Sequence, residues 1–131
     1  MNFQELISTQ PYIAQLAIKY VEDSNGGNIF YLEPEERFIG NPMLNAIHGG
    51  IICGLLESAS SLTLMLARET NSPPRLISQT TSFLGSASAD KTLFVRTEIT
   101  KSGKRILAVN ARAYQDDADK LVAKASILFR P

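Results

Sequence analysis

Gly50-Ile51-Ile52-Cys53-Gly54-Leu55-Leu56-Glu57-Ser58-Ala59-Ser60-Ser61-Leu62-Thr63-Leu64-Met65-Leu66-Ala67 is the most apolar stretch of the chain. Ile51, Ile52, Leu55, Leu56, Ala59, Leu62, Leu64, Met65 and Leu66 cover most of a helical circumference. The spacing therefore predicts a helix buried on several sides, not one lying on a surface. Asn71-Ser72-Pro73-Pro74 ends it. Such a helix needs a broad apolar surface to cover it, and the flanking sequence supplies one.

Downstream, residues 75–84, 91–101, 105–115 and 120–130 read as four strands. Ser102-Gly103-Lys104 and Asp116-Asp117-Ala118-Asp119 mark tight hairpins between them. Within 105–115, Leu107, Val109, Ala111 and Ala113 form an apolar face. Ile106, Ala108, Asn110, Arg112 and Tyr114 form a mixed one, as expected where one side of a sheet meets a core. Successive hairpins imply antiparallel pairing. Upstream, Asn28-Ile29-Phe30-Tyr31-Leu32-Glu33 reads as a fifth strand, followed by a loop from Pro34 to His48. Before it, residues 1–24 read as a helical extension. Ile13, Leu16, Ala17, Tyr20 and Val21 recur at helical spacing, Pro11 suits the first turn, and Asn25-Gly26-Gly27 makes the exit turn. The predicted class is α+β: one antiparallel sheet of about five strands wrapped around one central buried helix. With no repeat, low-complexity tract or linker, residues 1–131 are expected to form a single domain.

The totals narrow the function. Thirteen Lys plus Arg balance thirteen Asp plus Glu, so the broad basic footprint of a nucleic-acid binder is missing. The one cysteine, Cys53, cannot form an intrachain disulfide, which suits a reducing, cytoplasmic setting. The start, Met1-Asn2-Phe3-Gln4-Glu5, does not read as a signal peptide. Apolar stretches broken by Ser, Glu or Gly fall short of the roughly 20 residues of a membrane span. One His and one Cys among scattered carboxylates give no metal-ligand spacing, and no cofactor is expected.

Glu57 is the anomaly, a carboxylate in the middle of the most apolar helix. Burying it without a partner costs several kcal/mol or raises its pKa. It is either solvated at a helix edge or subunit boundary, or it has a chemical task. His48-Gly49-Gly50 precedes the helix. Its backbone N–H groups, unpaired at the positive end of the helix dipole, can hold an oxyanion; a plain loop-to-helix transition capped by His48 accounts for it equally. Ser61 follows Glu57 by one turn and either holds a water beside the carboxylate or bonds back to the carbonyl at 57. Ser58 and Ser60 point to other faces. Cys53 with His48 would be a nucleophile pair, but a cysteine in an apolar helix is ordinarily a small hydrophobe. A serine-hydrolase elbow, G-x-S-x-G, does not occur.

The run Gly40-Asn41-Pro42 through Ala46-Ile47-His48-Gly49-Gly50-Ile51-Ile52-Cys53-Gly54-Leu55-Leu56-Glu57 resembles the signature of PaaI-like hotdog thioesterases. Their pattern is a loop Asn, then His-Gly-Gly, then a buried helix carrying an acid at this offset. The resemblance spans roughly residues 28–130 and implies a hotdog fold that hydrolyses acyl-CoA. It also implies a homodimer joined edge to edge, paired again into a homotetramer, with the active site at the subunit boundary. By that resemblance Gly50 donates its N–H to the thioester oxygen, with Gly49 beside it. Glu57 of the partner subunit is base or nucleophile, Ser61 supports the water, and His48 and Asn41 orient the thioester and the loop. Lys104 and Arg105, with Lys101, are candidate contacts for coenzyme A phosphates. Asn41 lies one residue further from His48 than the family Asn, and Asn45 lies nearer. Gly85-Ser86 stands where relatives often have Arg-Pro. Two other functions fit the same fold: an acyl-thioester hydratase or dehydratase using His48 and Glu57, and a non-catalytic acyl-thioester binding module.

Overall fold

The computed structural model describes residues 3–8, 10–22 and 28–131. The apolar stretch forms helix α3, Gly49–Ala67, 19 residues long. Two short helices precede it, α1 (Phe3–Ser8) and α2 (Pro11–Leu16). The main sheet uses β1 (Lys19–Glu22), β2 (Asn28–Leu32), β5 (Arg75–Phe83), β6 (Leu93–Ser102), β7 (Leu107–Tyr114) and β8 (Ala123–Arg130). Its order is β1-β2-β6-β7-β8-β5, antiparallel at every junction. The segment expected as a plain loop carries a 3-10 turn (Glu36–Phe38) and a two-stranded ribbon of β3 (Ile39–Asn41) and β4 (Ala46–Ile47).

α3 lies across one face of the sheet, against β5, β6, β7 and β8. The buried face of β7 is the predicted one, Leu107, Val109, Ala111 and Ala113. On β8 the buried set is Ala123, Ala125, Ile127 and Phe129. Four of these eight side chains are alanines, which let the helix come close to the sheet. Helix polar groups are satisfied locally. Ser60 Oγ donates to the Leu56 carbonyl at 2.8 Å and Thr63 Oγ1 to the Ala59 carbonyl at 2.7 Å. Thr63 Oγ1 also lies 2.6 Å from Thr97 Oγ1, tying α3 to β6. By length and a mean hydropathy of 1.6, α3 could cross a membrane; here most of it is buried in the protein. That apolarity meets the demand of a core helix covered on several sides.

Two expectations are corrected at the N-terminus. The helix predicted to run from Pro11 towards Asn25 stops at Leu16, where Ala17 takes a left-handed conformation (φ 53°). Residues 19–22 then form a strand, so the sheet has six strands rather than five. The spacing of Tyr20 and Val21 fits a helix, but Ile18 and Tyr20 also alternate with Lys19 and Val21. Pairing with β2 decides between the two patterns. The Tyr20 ring lies 5.3 Å from both Phe3 and Phe30, contacts a helix would not provide. The predicted Asn25-Gly26-Gly27 turn lies outside the described residues.

β5 is the far edge. Most of its nine residues are exposed, including Leu76, Ile77 and Phe83, with Leu84 just beyond.

The packing predicts a contrast measurable by denaturant unfolding. Leu55→Ala, fully buried on α3, should lower stability by about 2–5 kcal/mol. Leu128→Ala on β8, 38% exposed, should cost clearly less. Equal losses would mean α3 is not the centre of the core.

Candidate active site

The site residues fall on α3 and on the loop that delivers it. His48 N–H donates to the Phe38 carbonyl at 2.8 Å. Ile47 N–H donates to the Ala87 carbonyl and Ala89 N–H to the Asn45 carbonyl, so residues 87–89 clamp the approach to the helix. Gly40 lies directly against His48: a methyl group there would sit 2.7 Å from the His48 Cα. Any larger residue at 40 must therefore shift the His48 backbone as well as its ring.

His48 is the N-cap of α3. Its Nδ1 accepts the Gly50 N–H at 2.8 Å. An accepting Nδ1 must carry a lone pair, so a neutral ring keeps its proton on Nε2 as a donor. The Gly50 N–H expected to face a ligand is thus already engaged by His48 in the single chain. The Gly49 N–H lies beside it in the first turn, where the Ile51 and Ile52 N–H groups both donate to the His48 carbonyl, and the Phe83 ring lies over Gly49. Both asparagines serve the loop. Asn41 Oδ1 accepts the Met43 N–H at 3.0 Å, and Asn45, at φ 48°, donates from Nδ2 to Asp90 at 2.7 Å.

Glu57 is half-buried on α3, on the flank where the helix meets Leu76 of β5 and Phe129 of β8. It opens into a cavity of about 340 Å³ with Ser61, Tyr12, Pro74, Leu76 and Phe129. Desolvation holds its pKa above the ordinary carboxylate value of 4.5. Ser61 does reach the same cavity. Its hydroxyl makes a weak 4.0 Å contact to the Met65 sulfur rather than the back-bond to carbonyl 57. Cys53 is a half-buried free thiol whose carbonyl accepts from Gln79.

Gly50, Gly54, Glu57 and Ser61 form one stripe along α3, since seven residues are close to two turns. At about 1.5 Å per residue, Gly50 and Glu57 are still roughly 10 Å apart. One chain therefore does not bring the helix N-terminus and the carboxylate to a common atom. Lys104 and Arg105 are exposed in the β6–β7 turn. That turn is at the other end of the sheet, because adjoining Leu107 shares a cavity with Leu64, Met65 and Arg68 at the C-terminal end of α3. That larger cavity, about 390 Å³, has no side-chain carboxylate in its lining. Among the described residues, no three His, Cys, Asp or Glu side chains converge as metal ligands. Tyr12, Gly54 and Gly40 escaped sequence reasoning. The glycine repeat on α3 was the one signal that something packs there.

Residues 40–130 match the acyl-CoA thioesterase N-terminal domain family, and the chain belongs to that family. A Chromobacterium violaceum protein of known structure is 34% identical over 98% of this chain and 88% of its own, with a TM-score of 0.77. A phenylacetic acid degradation-related protein from Ralstonia eutropha is 20% identical over 93% and 90%, with a TM-score of 0.79. A Streptococcus mutans protein solved with bound acetyl-CoA is 20% identical over 86% of each chain, with a TM-score of 0.71. The fold is the hotdog fold of the thioesterase superfamily. No protein of curated function matches the chain.

Burial of Glu57 carries a stability signature. A carboxylate whose folded pKa is raised binds more protons folded than unfolded, so its charging opposes folding as pH rises through that window. Glu57→Gln should therefore raise the urea midpoint at pH 7–8. The gain should vanish below the ordinary carboxylate range, where both side chains are neutral. A gain independent of pH would place the effect elsewhere.

Proposed function

We propose that this protein hydrolyses acyl-CoA thioesters, with Glu57 as base or nucleophile. The carrying observation is a carboxylate, its pKa raised by burial, opening into a largely apolar cavity on the central helix of an acyl-CoA thioesterase family chain. A raised pKa makes Glu57 a stronger base near neutral pH. In the base route Glu57 takes a proton from water as the water oxygen bonds to the thioester carbon. The carbonyl electrons move to oxygen, then return as the C–S bond breaks and coenzyme A leaves as thiolate. Helix N-terminal donors hold the oxyanion: the Gly50 N–H shared with His48 Nδ1, the Gly49 N–H and His48 Nε2–H. Ser61 is the polar neighbour for the water. The bound acetyl-CoA of the Streptococcus mutans relative supports coenzyme A as the carrier.

The reading includes a homodimer, paired again into a homotetramer, working in the cytoplasm. The roughly 10 Å between Gly50 and Glu57 along one helix calls for the partner subunit's Gly50 opposite Glu57. The unpaired edge of β5, with exposed Leu76, Ile77 and Phe83, is the surface such pairing would cover. Lys101, Lys104 and Arg105 are exposed cations for coenzyme A phosphates. Asn41 keeps its proposed role in ordering the loop before His48.

Thiol release from a panel of acyl-CoA substrates tests the reading. Glu57→Ala should lose at least about 100-fold in kcat/KM while staying folded. Wild-type kcat/KM should rise with pH through an inflection above 4.5, because the ionised carboxylate is the active form. A fully active Glu57→Ala overturns the assignment. Enoyl-thioester absorbance change without thiol release points instead to a hydratase, and binding without turnover to a binding module.

The assembly has its own test. Ile77→Asp, at an exposed position, should shift the sedimenting species toward monomer and lower thiol release in parallel. A monomeric variant with full activity would rule out a shared site.

A further inference from the structure

α2 is held by Ile13 and Leu16, both buried, and by Gln10, whose side-chain amide donates to the Met65 sulfur at 3.2 Å. This anchoring brings Tyr12 over α3 one turn before Glu57. The fit depends on Gly54. A methyl group there would lie 2.1 Å from the Tyr12 hydroxyl oxygen and 3.2 Å from the ring carbon bearing it. Tyr12 then lines the cavity into which Glu57 and Ser61 open, whose other walls include Pro74, Leu76 and Phe129. Gly54, Glu57 and Ser61 follow one another along the same stripe of α3. Glu57, Ser58 and Ser61 line the α3 side of the cavity, and Tyr12, seated on Gly54, borders it towards the start of the helix.

We propose that Tyr12, seated on Gly54, is a specificity-determining residue: its ring is the end wall of an apolar acyl-group pocket beside Glu57 and limits the length of acyl chain the pocket takes. This rests on the acyl-thioester reading above. The lining carries the argument. Pro11, Ile13, Pro74, Leu76 and Phe129 suit a hydrocarbon chain; Glu57, Ser58 and Ser61 supply polar groups from α3, and Gln10, whose amide is engaged by the Met65 sulfur, adds one from the α2 side. Tyr12 is 52% exposed, so core packing is not what keeps an aromatic ring there. Burial raises the pKa of its hydroxyl, with smaller contributions from Glu57 and Cys53. The phenol therefore stays neutral beside the carboxylate and can donate a hydrogen bond to it or to a water.

Gly54 gives a second handle on the same wall. Gly54→Ala adds one carbon where the Tyr12 hydroxyl now sits, and the end of a flexible side chain can swing away. It therefore displaces Tyr12 without altering it, and Ala is the better helix former. Tyr12→Ala removes the wall outright, and Tyr12→Phe keeps it.

The test is binding of non-hydrolysable S-alkyl coenzyme A thioethers of increasing chain length, by titration calorimetry. Thioethers cannot turn over, so the readout does not depend on catalysis. In Tyr12→Ala and Gly54→Ala, the affinity ratio of long to short chains should rise about tenfold, the effect of burying roughly two more methylene groups. Tyr12→Phe should keep the wild-type ratio, and the double variant Tyr12→Ala/Gly54→Ala should add little to either single change. Should Gly54→Ala fail to fold, the exposed Tyr12→Ala still decides. If wild type binds the thioethers and Tyr12→Ala leaves the ratio unchanged, the wall is elsewhere and the acyl-CoA reading survives. If wild type binds no thioether, both fall.

Discussion

The close approach of α3 to its sheet is the constraint on which the other features depend. Leu55, Leu56, Leu62, Leu64 and Met65 are fully buried, each contributing about 1.5–3 kcal/mol relative to an exposed side chain. The sheet accepts the helix because Ala111, Ala113, Ala123 and Ala125 keep its inner surface low. Larger side chains there would lift α3, shift the Thr63–Thr97 contact and open gaps that dispersion forces do not tolerate. A helix held this firmly is a fixed platform. Glu57 in its middle inherits that fixity from packing, and His48 at its start adds its own hydrogen bonds to Phe38 and Gly50.

The same packing explains how the chain tolerates a half-buried carboxylate. The sheet covers one side of α3, and Glu57 and Ser61 sit on its flank, in a cavity shared with Leu76 of β5, Phe129 of β8 and Tyr12 of α2. Partial access to solvent spares Glu57 the full cost of burial, while loss of the remaining water raises its pKa. Small residues before it leave room for other chain segments to approach: Phe83 over Gly49 and Tyr12 over Gly54.

What the sequence made legible follows from what is local. The all-round apolarity of 50–67, the alternation of 107–114 and the hairpin turns are periodic signals, and each has its counterpart in α3, β7 and the sheet order. Glu57 stood out because a charge in an apolar run violates a local rule. The failures are non-local. Residues 19–22 satisfied helical spacing, and only pairing with β2 and stacking of Tyr20 on Phe3 and Phe30 made them a strand. The seat of Tyr12 on Gly54 joins residues 42 positions apart, so no window of sequence contains it. Capping of the Gly50 N–H by His48 Nδ1 depends on the orientation of the ring, which the letters His-Gly-Gly do not carry.

That engagement bears on how a site can form at all. A single α3 offers donors at its start and a carboxylate two turns later, on one face but about 10 Å apart. A thioester carbon, its oxygen and an attacking water span far less, so one helix cannot serve both ends of the reaction. Two copies of the helix related by a two-fold axis can. In the proposed homodimer the two helices would run antiparallel with matching stripes facing, the start of each opposite the middle of the other, and one rotation would create two identical sites. The glycines at 50 and 54 have a common physical reason: a side chain comes close to the helix at each, the His48 ring at one and the Tyr12 hydroxyl at the other. The His48 cap fits the same scheme. It directs the Gly50 N–H at Nδ1, 2.8 Å away, so any ligand arriving at the helix start meets an imidazole whose orientation is already set.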